Sequence, residues 1–131
     1  MRTVTVVVAV CLVLAGCGSL SERESAAVRV TEAFLTAVTD GDGAAACGAL
    51  TPDAVTRLED TSGEPCADAV LDEDLPAPAP ATDTDVYGQW ARVRLGPQAV
   101  FLAMFPGGWR IDAAGCEPRG ERPYDCAVDG G

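Results

Sequence analysis

The chain has 131 residues, 48% of them apolar, and sets 20 acidic side chains against 9 basic ones for a formal net charge of −11. That length suits one small domain. Histidine is absent, every basic residue is arginine, and the chain has no asparagine. These absences exclude histidine-activated nucleophiles, imidazole general bases, histidine-ligated zinc and asparagine-linked glycosylation. So acidic a chain is repelled by phosphate backbones, which excludes nucleic acid as a partner.

Arg2 opens a charged start, and residues 4–15 are apolar except for Thr5. The run is too short to span a bilayer, which takes about 20 apolar residues, but it has the length of a secretory signal. It ends in Leu14-Ala15-Gly16-Cys17, which resembles the bacterial lipobox, where the cysteine thiol takes a diacylglycerol and the signal is cut just before it. The expected organisation is a lipoprotein signal over 1–16, a lipidated Cys17 with a tether over 17–23, and a folded domain over 24–131. Loss of Arg2 on cleavage leaves eight arginines against twenty acids.

Cys11 departs with the signal and Cys17 carries lipid, so Cys47, Cys66, Cys116 and Cys126 remain. An even number of cysteines in an exported chain reads as disulfides. Four cysteines allow three connectivities; the local one, Cys47 with Cys66 and Cys116 with Cys126, is the expectation, each bridge contributing about 3 kcal/mol on the chain-entropy model. A four-thiolate zinc site lacks the paired CxxC spacing it needs, so no metal is expected.

Ser21 and Glu24 match a capping box, and a first helix is expected from there to Thr39, with Ala27, Val30, Phe34 and Val38 on one apolar stripe. Asp40-Gly41-Asp42-Gly43 stops it, and Asp42 caps a short second helix over 44–50. As a calcium loop this stretch fails, because Ala44 and Thr51 stand where ligands belong. Thr51-Pro52 starts a third helix burying Ala54, Val55 and Leu58, and Pro65 a fourth that reaches about Leu71. The acidic run 72–74 and the alternating prolines of 76–80 form a stiff crossover.

From residue 82 the period changes to two. Four strands are expected over 83–87, 90–95, 98–105 and 109–113, separated by short turns as in an antiparallel meander. Ala91, Val93 and Leu95 share one face of the second, Trp90, Arg92 and Arg94 the other. The third is apolar on both faces and therefore central. Trp109 and Ile111 point inward together, and the tail from 115 onward is expected as a polar loop stapled at its base.

The segments 27–50 and 100–111, with Thr51-Pro52, Pro65-Cys66-Ala67 and the pair Cys116 and Cys126, resemble small exported bacterial lipoproteins with a nuclear-transport-factor-2-like, or SnoaL-like, domain. The resemblance implies an α+β cone, N-terminal helices packed on a curved four-stranded antiparallel sheet, with two disulfides. It implies no cofactor. Side chains placed to line such a cone are Phe34, Val38, Trp90, Phe101, Phe105 and Trp109, against the simpler reading that they form plain core.

Two functions follow. The first is a non-catalytic binding or accessory module, lipid-anchored through Cys17 on the extracytoplasmic face of the cell membrane, which holds a small apolar ligand or an envelope protein. The alternative is a small isomerase or cyclase with an aspartate general base, for which Asp40, Asp85 and Asp112 lie nearest apolar segments. The anchor is directly testable: Cys17→Ser should release the protein into the medium or leave uncleaved precursor in the membrane, as read by fractionation and N-terminal mass. A variant that matures and fractionates like the wild type sinks the lipoprotein reading.

Overall fold

The computed structural model describes residues 19–131, so the expected signal over 1–16 and the lipidated Cys17 lie outside the described residues. Helix α1, Leu20–Thr39, begins earlier than expected. Ser19 Oγ accepts from Glu22 N (3.2 Å) and Glu22 Oε2 accepts from Ser19 N (3.1 Å), so the capping box is Ser19 with Glu22, one register ahead of Ser21 with Glu24. Both boxes fit the sequence, and the earlier one adds hydrogen bonds to a helix already nucleated. Residues 20–23 are therefore helix and not tether. At the other end Gly41, with φ +75°, lets Asp42 N donate to Ala37 O (2.8 Å) and closes the helix.

Helix α2, Gly43–Gly48, is capped by Asp42 and stops short of the expected Leu50 because the backbone there turns to pair with the sheet. Helix α3, Pro52–Ser62, has Thr51 as its cap and Gly63 in the left-handed region at its end. Helix α4, Cys66–Ala69, runs into a 3₁₀ turn, Val70–Asp72. Both disulfides join the expected partners, Cys47 to Cys66 and Cys116 to Cys126.

The sheet has six strands instead of four: β1 Asp83–Tyr87, β2 Trp90–Leu95, β3 Gln98–Phe105, β4 Gly108–Arg119, β5 Arg122–Asp125 and β6 Val128–Asp129. Every strand pairing is antiparallel, in the order β1-β2-β3-β4-β5, with β6 also on β4. The expected polar tail loop is thus two strands, formed because β4 runs on through Arg119 and offers an edge. Pro118 and Pro123 hid them, yet proline is tolerated where a strand lies at a sheet edge. Register shifts around Phe101 in the β3–β4 ladder mark a bulge, which increases the local twist.

Helix α1 lies over β1, β2 and β4. Phe34 and Leu35 from the helix meet Val93, Leu102 and Ile111 from the sheet, all exposed by 1% or less. Thr31, also fully buried, satisfies its hydroxyl by donating to Ala27 O (2.9 Å). Among the described residues no helix is long and apolar enough to cross a membrane.

The close approach of α2 to α4 at Gly43 leaves no room for a side chain. A Cβ at Gly43 would lie 1.8 Å from Ala67 O, whereas one at Gly48 would meet nothing within 4 Å. Gly43→Ala should therefore cost about 1–3 kcal/mol or more by overpacking. Gly48→Ala should be neutral or stabilise by up to about 1 kcal/mol, because it removes backbone freedom from the unfolded chain. Urea titration of the two variants checks the contrast; equal midpoints would mean that Gly43 does not pass close to the Ala67 carbonyl.

Candidate functional site

Strand register divides the six aromatic and aliphatic candidates between two faces. Phe34 and Trp109 are buried, 1% and 5% exposed, in the core between α1 and the sheet, with Val38 half-buried at its border. Trp109 is held there by Arg23, whose carbonyl accepts from the indole Nε1 (3.1 Å) and whose guanidinium lies 5.3 Å from the ring. Trp90, Phe101 and Phe105 stand on the opposite face. Side chains two apart share a face, and Trp90 pairs with Ala103 and Arg92 with Phe101 across the β2–β3 ladder. The six do not converge on one cone; the buried members pack as core.

The outer face carries an open groove of about 320 Å³. It is lined by Trp90 and Phe101, by Pro123 and Tyr124 from β5, and by Asp112 and Asp129. The Tyr124 ring meets Phe101 edge to face, centroids 5.1 Å apart, a geometry favoured by the ring quadrupoles. Beneath them Ala99, Ala113 and Cys116 form a second small apolar cluster, and the Cys116–Cys126 bridge ties β5 down over it. Tyr124 was absent from the candidates drawn from the sequence. Its signal was the period of two: it lies two residues before Cys126, so pairing Cys126 with Cys116 carries it to the outer face.

Arg92 and Arg94 project from β2 on this same face. Asp85, directly opposite on β1, accepts from Arg92 Nη2, and this hydrogen bond, partly offset by burial, holds the guanidinium further in its charged form. So exposed an ion pair adds at most about 1 kcal/mol. Arg92 Nε is buried without a partner among the described residues. Of the other two aspartates considered as bases, Asp40 ends α1 in solvent, while Asp112 Oδ1 accepts from the buried Thr51 hydroxyl (2.9 Å).

Two further hollows lie away from the aromatic groove. One, about 180 Å³, lies between α3 and β6 and is lined by Arg57, Leu58, Glu73 and Val128. The other, about 320 Å³, is bordered by Glu73, Asp74, Gln98, Glu117 and Asp125. Among the described residues no group of three or more acidic or cysteine side chains is placed to hold a metal ion.

No protein-family model, curated protein or solved structure matches the chain.

Glu73 borders both of these hollows. Burial, and after it the charge of Asp72, raises its pKa above the ordinary 4.5. The native state therefore holds this proton more tightly than the unfolded chain, and the stability it lends below pH 4.5 is lost as the pH rises through the raised value. Glu73→Gln should remove that loss. Thermal melts between about pH 4 and 7 should show the variant gaining on the wild type as the pH rises; parallel curves would place Glu73 in an ordinary solvated setting.

Proposed function

We propose that the chain is an exported, lipid-anchored binding module on the extracytoplasmic face of the cell membrane, with a nuclear-transport-factor-2-like arrangement of helices on a curved sheet. Its outer sheet face holds a small apolar ligand or an envelope protein, without catalysing a reaction. One observation carries the binding role: the helix–sheet interface is filled by Phe34, Leu35, Val93, Leu102 and Ile111, whereas the outer face is open and aromatic at Trp90, Phe101 and Tyr124. Aromatic walls with a few polar groups at the rim suit a ligand with an apolar body. The exported setting is supported by the residues around Cys17 and by two disulfides, which persist in oxidising compartments.

One observation favours the isomerase or cyclase reading. Asp112 and Tyr124 border the same groove, the carboxylate and hydrogen-bond donor that an aspartate-base enzyme uses. Asp112 is engaged with Thr51, however, and the groove is open to water, so the binding role is preferred.

An NMR screen of small apolar compounds against the folded protein tests both. Hits should shift the resonances of Phe101 and Tyr124, lose affinity by about tenfold or more in Tyr124→Ala, and leave Leu102 and Ile111 unmoved. Shifts centred on Phe34 and Trp109 would move binding into the core and defeat the outer-face reading. Conversion of a hit that stops in Asp112→Asn would establish the enzyme.

A further inference from the structure

Among the described residues four large apolar side chains are exposed: Leu20 (58%), Leu71 (36%), Tyr87 (54%) and Trp90 (47%). Three of them lie at one end of the domain. Tyr87 and Trp90 are direct cross-strand partners flanking the Gly88-Gln89 turn, so their side chains stand on the same face. Arg23 Nη2 donates to Gly88 O (2.6 Å), which fixes the first turns of α1 against that turn. Leu20 lies three residues before Arg23, on the same side of the helix. It continues the stripe of Ala27, Thr31 and Phe34 and, unlike them, is exposed. The β3–β4 turn joins the same end, because Met104 N donates to Gln89 O (2.8 Å) and Phe105 follows. Arg110 lies over the Phe105 ring at 5.5 Å.

Charge is distributed unevenly about this end. Arg23 and Arg110 stand here with Glu22 and Glu24, and Glu22 is occupied with the Ser19 backbone. Asp40 and Asp42 lie at the other end of α1, about 30 Å away at 1.5 Å per residue, and Asp83 lies at the far end of β1. An apolar and aromatic end free of the acidic excess is compatible with a lipid surface that the rest of the chain, at a net charge of −11, would avoid.

Covalent reach selects the occupant. Cys17 is two residues before Ser19, the cap of α1, and two residues span at most about 7 Å. A lipid on Cys17 therefore brings this end, and no other, against the bilayer. We propose that this end of the domain, with Leu20 on the α1 side of the sheet and Tyr87 and Trp90 on the outer side, is a membrane-contact face, seated at the headgroup level of the leaflet that holds the Cys17 lipid. The proposal rests on the lipid-anchor reading above. Tryptophan and tyrosine favour that depth because their rings are apolar and their N–H and O–H stay wet. Arg110 can extend its guanidinium to the phosphates while its stem stays on the protein, whereas Arg23 stays engaged with Gly88 O and the Trp109 ring. The contact orients the domain, with Trp90 as the membrane-side rim of the outer groove.

The mature lipidated protein, reconstituted in phosphatidylcholine vesicles with and without bromine on the acyl chains, tests this. Trp90 emission should shift to the blue relative to Cys17→Ser in buffer, become inaccessible to acrylamide, and be quenched by the brominated chains. Those changes should vanish in Trp90→Phe, which leaves only the buried Trp109 as background. Leu20→Ser with Tyr87→Ser, both at exposed positions, should weaken the bromine quenching. A Trp90 that stays open to acrylamide on the vesicle overturns the contact face, and so does one shielded without bromine quenching, which would place a protein partner there. Mass spectrometry of the N-terminal peptide separates the two failures. An unmodified Cys17 removes the anchor and the contact face together, whereas a lipidated Cys17 with a water-exposed Trp90 removes the contact face alone.

Discussion

Strand β4 has an edge that the meander leaves open, and closing that edge ties the two halves of the chain together. Buried backbone groups must be paired, and three separate segments supply the partners. Ile111 N donates to Ala49 O and Ile111 O accepts from Thr51 N, both at 2.8 Å, so the link between α2 and α3 lies along the strand. Further on, β6 pairs with Ala113 and Ala114, and β5 with Glu117 and Arg119. Thr51 serves three ends at once: its backbone pairs with β4, its Oγ1 accepts from Ala54 N to cap α3, and its hydroxyl donates to Asp112. A side chain only 2% exposed is fully satisfied in this way, which is what makes burying it affordable.

The disulfides reinforce the places where apolar contact is thinnest. Helices α2 and α4 are six and four residues long, too short to stand without tertiary support, and the Cys47–Cys66 bridge joins them where Gly43 already passes close to Ala67. The β4–β5 hairpin lies beyond the reach of α1, and Cys116–Cys126 holds it against the small outer cluster of Ala99 and Ala113. Each bridge closes a local loop, so each acts within one half of the chain. The halves themselves are joined by hydrogen bonds and burial at β4.

The two sheet faces owe their different character to helix placement. All helices come before the sheet in the chain, and α1 covers a single face, where β2, β3 and β4 present Val93, Leu102 and Ile111. The other face has Phe101, which is held by Tyr124, and Trp90, which is not covered. Aromatic residues there cost little in solubility, since arginines and aspartates alternate with them along β1 and β2. The proposed binding and membrane-contact roles both draw on this uncovered face and its end.

Local features were legible from the residues alone. Caps at Asp42 and Thr51, the stop at Gly41, the alternation of Val93 with Arg92 and Arg94, and the pairing of each cysteine with its nearest partner all depend on neighbours close in sequence, where spacing decides geometry. What the tertiary structure decided was non-local. Two capping boxes fit the start of α1, and its first turns pack against the distant Gly88 and Trp109. Strands β5 and β6 carry no alternating apolar pattern, because they are short edge strands and are held by an existing edge. The bulge beside Phe101 shifts the alternation along β4 after Ile111, so Ala113 and Cys116 join Phe101 and Ala99 on the outer face, while Trp109, before the bulge, keeps the inward position that alternation predicts. Hydrophobicity marks a residue as able to be buried; which face it reaches depends on strand register, and register is set by partners many residues away.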